Sequence, residues 1–161
     1  MAQPLVLVVD DNKITTKLLA RYLTAAGYRV AEAYDGMECL EKIEEEMPDA
    51  VILDVMMPRL DGYETVQRIR ADAKTRDLPV VIVTALNDVA NQVKAIESGA
   101  DDFLSKPIED KLLIAKVKIL TSLSMQRKRI AVLEAMVEEC LSGSASPDDI
   151  RSRLELLRME Q

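Results

Sequence analysis

Two apolar patterns alternate along the chain. Leu5-Val-Leu-Val-Val9, Val51-Ile-Leu53 and Val80-Val-Ile-Val83 are short unbroken apolar runs bounded by turn signals. Such runs read as strands buried on both faces. Tyr28–Ala33 and the short extended stretch Asp102–Ser105 bring the candidate strands to five. Between them, apolar residues recur at helical spacing. Ile14, Leu18, Leu19, Tyr22 and Leu23 make one stripe, with Asn12 as its cap and Gly27 as its terminator. Met37–Met47 turns Leu40 and Ile43 inward and stops at Pro48, and Tyr63–Ala73 offers Val66 and Ile69 to the core. Val89–Ser98 is expected to turn Val93 and Ile96 inward and to end at Gly99. A long helix begins near Asp110.

Strands alternating with helices over short connections imply parallel strands joined by right-handed crossovers. The predicted fold class is α/β, a doubly wound five-stranded parallel sheet with helices on both faces, plus a C-terminal helical extension. Its polar landmarks fall at strand ends: Asp10 and Asp11 after the first apolar run, Asp54 after the third strand, Thr84 after the fourth and Lys106 after the fifth. In a parallel sheet these ends share one edge, which is where open α/β sheets place their chemistry. Five sequence-distant side chains are therefore expected to meet in one pocket.

Three carboxylates brought that close repel one another unless a proton or a cation intervenes. A hard divalent ion such as Mg2+ suits oxygen ligands and phosphate oxygens. Lys106 adds a point charge for a phosphoryl oxygen, and Thr84 adds a hydroxyl donor. A carboxylate can accept a phosphoryl group as an acyl phosphate, and that transfer needs mainly positioning and charge neutralisation. Taken singly, the strand-end Asp residues are ordinary caps and Lys106-Pro107 an ordinary turn; the five together carry the functional reading.

Composition narrows the field. Histidine is absent, which removes His-dependent triads and zinc–histidine sites. The net charge of −7 disfavours nonspecific binding to nucleic acid or an anionic membrane. Leu5–Val9 is too short for a signal-peptide core, and no apolar run reaches membrane-spanning length. Cys39 and Cys140 lie far apart and match no ligand spacing, so a reducing cytoplasm is the expected location.

The chain resembles the response-regulator receiver domains of two-component signalling. Val8-Val-Asp-Asp-Asn12, Leu53-Asp-Val-Met-Met-Pro-Arg-Leu-Asp-Gly62, Val83-Thr-Ala85 and Gly99-Ala-Asp-Asp-Phe-Leu-Ser-Lys-Pro107 carry the likeness. The resemblance implies the flavodoxin-like strand order 2-1-3-4-5. It implies that Asp54 takes a phosphoryl group from a phosphohistidine on a sensor histidine kinase or histidine phosphotransfer protein. Asp11, Asp54 and the backbone carbonyl of Met56 would bind Mg2+ directly, with Asp10 acting through water. Lys106 would grip the phosphoryl group across a cis Lys106-Pro107 peptide, and Thr84 with Phe103 would form the switch pair. With Phe rather than the Tyr often seen there, the readout would be steric. Met56 and Leu86 flank the path of attacking water and bring no polar group to it. No enzymatic turnover beyond self-catalysed phosphoryl acceptance and loss is expected.

The receiver is expected to occupy residues 1–121 and a helical extension residues 122–161. Ile119, Leu123, Ile130, Leu133, Val137 and Cys140 follow a heptad seam interrupted by Gln126, which predicts a coiled coil to about residue 141 and a homodimer. The competing reading is an amphipathic helix folded back on its own domain. Gly143–Pro147 is a break, and Ser146-Pro147-Asp148-Asp149 starts a short helix over about 147–160, with Ile150, Leu154 and Leu157 as its stripe. Residues 122–161 hold six Lys or Arg against seven Asp or Glu, which does not suit direct nucleic-acid binding. Two alternatives remain. One is the input segment of a longer regulator with a cyclic-dinucleotide cyclase or phosphodiesterase output. The other, remote, is a Mg2+-dependent aspartyl phosphatase of the haloacid-dehalogenase kind. That chemistry needs a second Asp where Asn12 or Met56 stands.

Overall fold

The structure, a computed structural model, describes residues 3–85 and 89–159. Five strands, β1 (Leu5–Val9), β2 (Arg29–Ala33), β3 (Ala50–Asp54), β4 (Val80–Thr84) and β5 (Asp102–Ser105), form one sheet in the order β2-β1-β3-β4-β5. Every pairing is parallel, with Val9 beside Leu53, Asp54 beside Val83 and Thr84 beside Ser105. β1, β3 and β4 are buried along their whole length, as unbroken apolar runs require. β2, at the sheet edge, is only partly covered and mixes polar with apolar residues.

Alternate strand residues feed two cores. On one face Val6, Val8, Ile52, Val81 and Val83 meet Leu19 and Leu23 of α1 (Lys13–Ala25). Leu113, Val117 and Leu120 of α5 (Asp110–Leu141) close that layer. On the other face Leu7, Val9, Val51, Leu53 and Ile82 meet three helices. These are α2 (Gly36–Glu45) through Cys39 and Ile43, α3 (Gly62–Ala71) through Val66 and Ile69, and α4 (Val89–Glu97) through Ala95. Full burial of each Val, Leu or Ile contributes roughly 1.5–3 kcal/mol before entropy is charged against it.

The expectation for α4 needs correcting. Val93 and Ile96 face solvent, and Ala95 is the buried residue of the helix. Ser98, just beyond it, is buried and donates its hydroxyl to the Ala95 carbonyl at 2.6 Å. Small residues seat the helix, so its larger apolar side chains point outward. In α1, Leu19 and Leu23 reach the core, but Ile14 and Leu18 are exposed.

Local signals explain the element ends. Asn12, Asp35 and Asp61 each accept a backbone N–H at the starts of α1, α2 and α3. Gly27 and Gly99 adopt positive φ after α1 and α4. Internal contacts separate the chain into one unit ending at Ser124 and another beginning at Met125. Within the second unit, the end of α5 turns at Gly143 into α6 (Pro147–Met159). Ser146 and Asp149 exchange cap bonds: Ser146 N–H donates to the Asp149 carboxylate at 3.3 Å and Asp149 N–H to the Ser146 hydroxyl at 3.2 Å. Arg153 of α6 pairs with Glu139 of α5, and Met136 is buried. The seam residues Ile119, Leu123, Ile130, Val137 and Cys140 are exposed.

Gly62 begins α3 where the chain passes closest to Asp54. A Cβ there would press on the Asp54 carbonyl oxygen and stand 2.9 Å from the Val55 Cα. Both obstacles are backbone and cannot swing away. Gly62→Ala is therefore expected to lower unfolding free energy by about 1–3 kcal/mol, as overpacking does. Chemical denaturation checks this, and an unchanged midpoint would contradict it.

Candidate functional site

Strand ends deliver the site. Asp10 follows β1, Asp54 closes β3, Thr84 closes β4, and Lys106 follows β5. Asp10, Asp54 and Thr84 are buried and Asp11 is exposed. Ligand oxygens of Asp10, Asp11 and Asp54 all lie within 4.8 Å of one another. The Lys106 ammonium donates to Asp10 Oδ2 at 2.9 Å and sits 2.8 Å from Asp54 Oδ1. The structure thus gathers the three expected acids into one cluster, with the Lys106 ammonium on two of them.

Backbone geometry holds each part. Asn12 N–H donates to Asp10 Oδ1 at 2.8 Å while the Asn12 side chain caps α1, so helix start and acid orient together. The Thr16 hydroxyl donates to the Asp10 carbonyl at 3.0 Å. Gly62 N–H donates to the Val55 carbonyl at 2.9 Å and fastens the loop after Asp54. Lys106 N–H donates to the Thr84 carbonyl at 2.9 Å, tying the lysine's backbone to that of the hydroxyl residue. The Lys106-Pro107 peptide is cis.

The electrostatics follow from that crowding. Burial raises the Asp54 carboxyl above its ordinary value, and Asp10 and Asp11 push the same way against the pull of Lys106. Burial alone would lower Lys106, but its bonds to Asp54 and Asp10 outweigh that and leave it raised. One ammonium therefore does not satisfy the acids. A hard cation on Asp10, Asp11 and Asp54 supplies what is missing, and all three offer the oxygen donors that magnesium takes. The residues fit the ion.

Phe103 lies on β5, half-buried against the core, with the Lys116 ammonium 6.0 Å from its ring centre. Met56 is exposed beside a cleft lined by Asp11, Val55, Met57, Tyr63 and Lys94. Leu86 lies outside the described residues. Two contacts escaped the sequence reading. Asp35, the cap of α2, is buried and pairs with Arg59 in the β3–α3 loop. Arg59 holds a positive φ of 66° without being glycine, a conformation that signals a constrained loop. Lys94 of α4 stands 4.5 Å over the Tyr63 ring of α3. Neither pairing has a spacing signal, since each joins separate segments.

A family model described as the response regulator receiver domain matches residues 6–118. The chain belongs to the response-regulator receiver family. It is 44% identical over 116 residues to response regulator PleD of Caulobacter vibrioides, a match covering 72% of this chain and 26% of that protein. It is 44% identical over 115 residues to response regulator MprA of Mycobacterium ulcerans, covering 71% of this chain and 49% of that one. The chain thus spans between a quarter and a half of these relatives. A solved response regulator from Chloroflexus aurantiacus superposes with a TM-score of 0.73 at 36% identity, covering 75% of this chain and 99% of that one. The receiver domain of the Pseudomonas aeruginosa sensor histidine kinase PA1611 gives 0.70 at 28% identity, with the same coverage of 75% and 99%. That structure holds a magnesium ion in its active-site cleft. Receivers of this family bind magnesium at an acidic site and are phosphorylated by sensor histidine kinases. Among the described residues, no helix is long and apolar enough to cross a membrane.

The raised Asp54 value has a measurable sign. Protonated Asp54 favours the folded state, so its contribution is complete below the ordinary carboxylate value and is lost as pH rises through the raised folded-state value. Without divalent ions, wild type is expected to lose more stability across that window than Asp54→Asn. At neutral pH, magnesium at a hundredfold excess over its Kd should stabilise wild type by about 2.7 kcal/mol. Thermal melts with and without magnesium check both; identical pH profiles in the two proteins would contradict the assignment.

Proposed function

We propose that this receiver is a phosphorylation-controlled switch that takes a phosphoryl group on Asp54 from a phosphohistidine partner. The observation carrying this reading is the contact of the Lys106 ammonium with Asp54 inside a cluster of three acids. An Asp54 carboxylate oxygen attacks phosphorus, a P–O bond forms, the P–N bond breaks, and the electron pair leaves with the imidazole of the donor. Lys106 holds a phosphoryl oxygen and Thr84 donates its hydroxyl to another. Asp11, Asp54 and the Met56 carbonyl would hold a magnesium ion, with Asp10 reaching it through water, and the ion would supply positive charge beside the phosphoryl oxygens. The same site later loses the phosphoryl group to water. No metabolite is turned over.

Readout follows from Thr84 and Phe103. As the Thr84 hydroxyl turns toward the phosphoryl group it vacates space, and the half-buried Phe103 ring moves in. The output is protein–protein contact, including homodimerisation through α5, whose seam residues Ile119, Leu123, Ile130 and Val137 are exposed. The relatives' greater length supports a second reading, in which the receiver and its helices form the input segment of a longer regulator. A cyclic-dinucleotide cyclase or phosphodiesterase is the output class that reading names. Both readings use the same phosphoacceptor site.

Incubation with acetyl phosphate and magnesium should add one phosphoryl group to wild type and none to Asp54→Ala, read by intact mass spectrometry. Equal labelling of the variant would overturn the site. The exposed Met56, with Leu86, leaves attacking water without a polar guide, so the phosphoaspartate should be long-lived. Met56→Asn combined with Leu86→Glu is expected to speed phosphate release; unchanged or slower release would remove this part of the reading.

A further inference from the structure

The loop between β3 and α3 carries Met56, whose carbonyl is the proposed third ligand for magnesium, on main chain that belongs to no helix or strand. Three backbone bonds shape it. Val55 N–H donates to the Val83 carbonyl at 3.2 Å, Leu60 N–H to the Pro58 carbonyl at 2.8 Å, and Gly62 N–H to the Val55 carbonyl at 2.9 Å. None of the three involves Met56. The far side of the loop leans on the start of α2. Leu60 is buried, and its carbonyl oxygen comes so near Gly36 that a Cβ there would stand 2.8 Å away. The same Cβ would collide with the Thr65 hydroxyl, which donates to the Asp61 carbonyl at 2.6 Å.

Asp35 fastens that contact from the helix side. Its carboxylate divides its oxygens: Oδ1 accepts the Glu38 N–H at 2.9 Å and caps α2, while Oδ2 takes the Arg59 guanidinium. Asp35 is buried and Arg59 is largely exposed. A buried carboxylate is costly without a partner, so this pair matters more than one between two solvated side chains. Arg59 also holds a φ of 66°, which a residue with a Cβ adopts rarely. The bond to a fixed helix cap offsets that unfavourable turn. Arg59 stands three residues after Met56, so an anchor at Arg59 restricts the main chain that carries the ligand.

We propose that the Asp35–Arg59 pair is a positioning device for the metal site. It docks the β3–α3 loop on the cap of α2 and holds the Met56 main chain where it completes the ligand set of Asp11 and Asp54. This rests on the ligand set proposed above and adds two residues outside the acid cluster that preset it.

Magnesium affinity, measured by isothermal titration calorimetry on the full chain well below the melting temperature, tests the device. Asp35→Asn keeps a good helix cap and removes only the charge. Arg59→Gly removes the guanidinium but suits the positive φ, so a mere turn residue would tolerate it or gain stability. Each variant is expected to raise the magnesium Kd about fivefold, as a loop that populates its ligand-bearing conformation only part of the time requires. The double variant should be no weaker than the weaker single, because both changes break one pair. Arg59→Lys, which keeps the charge, should recover most of the affinity. Wild-type Kd in both single variants, or losses that multiply in the double variant, overturns the positioning role. Asp11→Asn separates the two readings: it should abolish binding, and a wild-type Kd there would overturn the metal site and this inference with it.

Discussion

Three acids at the end of a parallel sheet are an electrostatic liability, and the arrangement of this protein depends on how it is contained. Asp10 and Asp54 are buried, where a carboxylate is costly unless paired. Lys106 reaches both, yet Asp54 stays raised because burial and two neighbouring carboxylates outweigh one ammonium. The residual imbalance makes the site receptive to a hard cation. A fully neutralised pocket would be more stable and less receptive. The surrounding bonds, from Asn12 to Asp10 and from Gly62 to Val55, keep the acids from relaxing apart.

The sheet contributes by topology. Four of its strands end at a site residue or one position before it, and parallel pairing brings those ends to one edge. Chain segments far apart in sequence meet there without a dedicated binding loop. The two cores behind them fix strand positions, so the acids inherit rigidity from apolar packing.

Much of this was legible in the sequence because the central strands are unbroken apolar runs and the functional residues sit at their ends. The contacts among Asp10, Asp54 and Lys106 follow from that placement, whereas the strand order was implied by the resemblance to receiver domains. The outward turn of Val93 and Ile96 was not legible, because α4 is seated through Ala95 and Ser98. An apolar stripe marks the buried face only where large side chains do the packing. The Asp35–Arg59 pair was hidden for another reason: a helix cap and a loop residue 24 positions apart meet only after the sheet has formed. Ile14, exposed at the start of α1, shows the same limit, since spacing alone does not say how far along a helix the core extends.

One bond at the sheet edge constrains how any signal leaves the pocket. Lys106 N–H is hydrogen-bonded to the Thr84 carbonyl, so the residue proposed to grip the phosphoryl group and the one proposed to sense it are stitched main chain to main chain. Neither can slide past the other without breaking the ladder. Main-chain slippage at this edge is thereby closed off, and movement there is left to side-chain torsions.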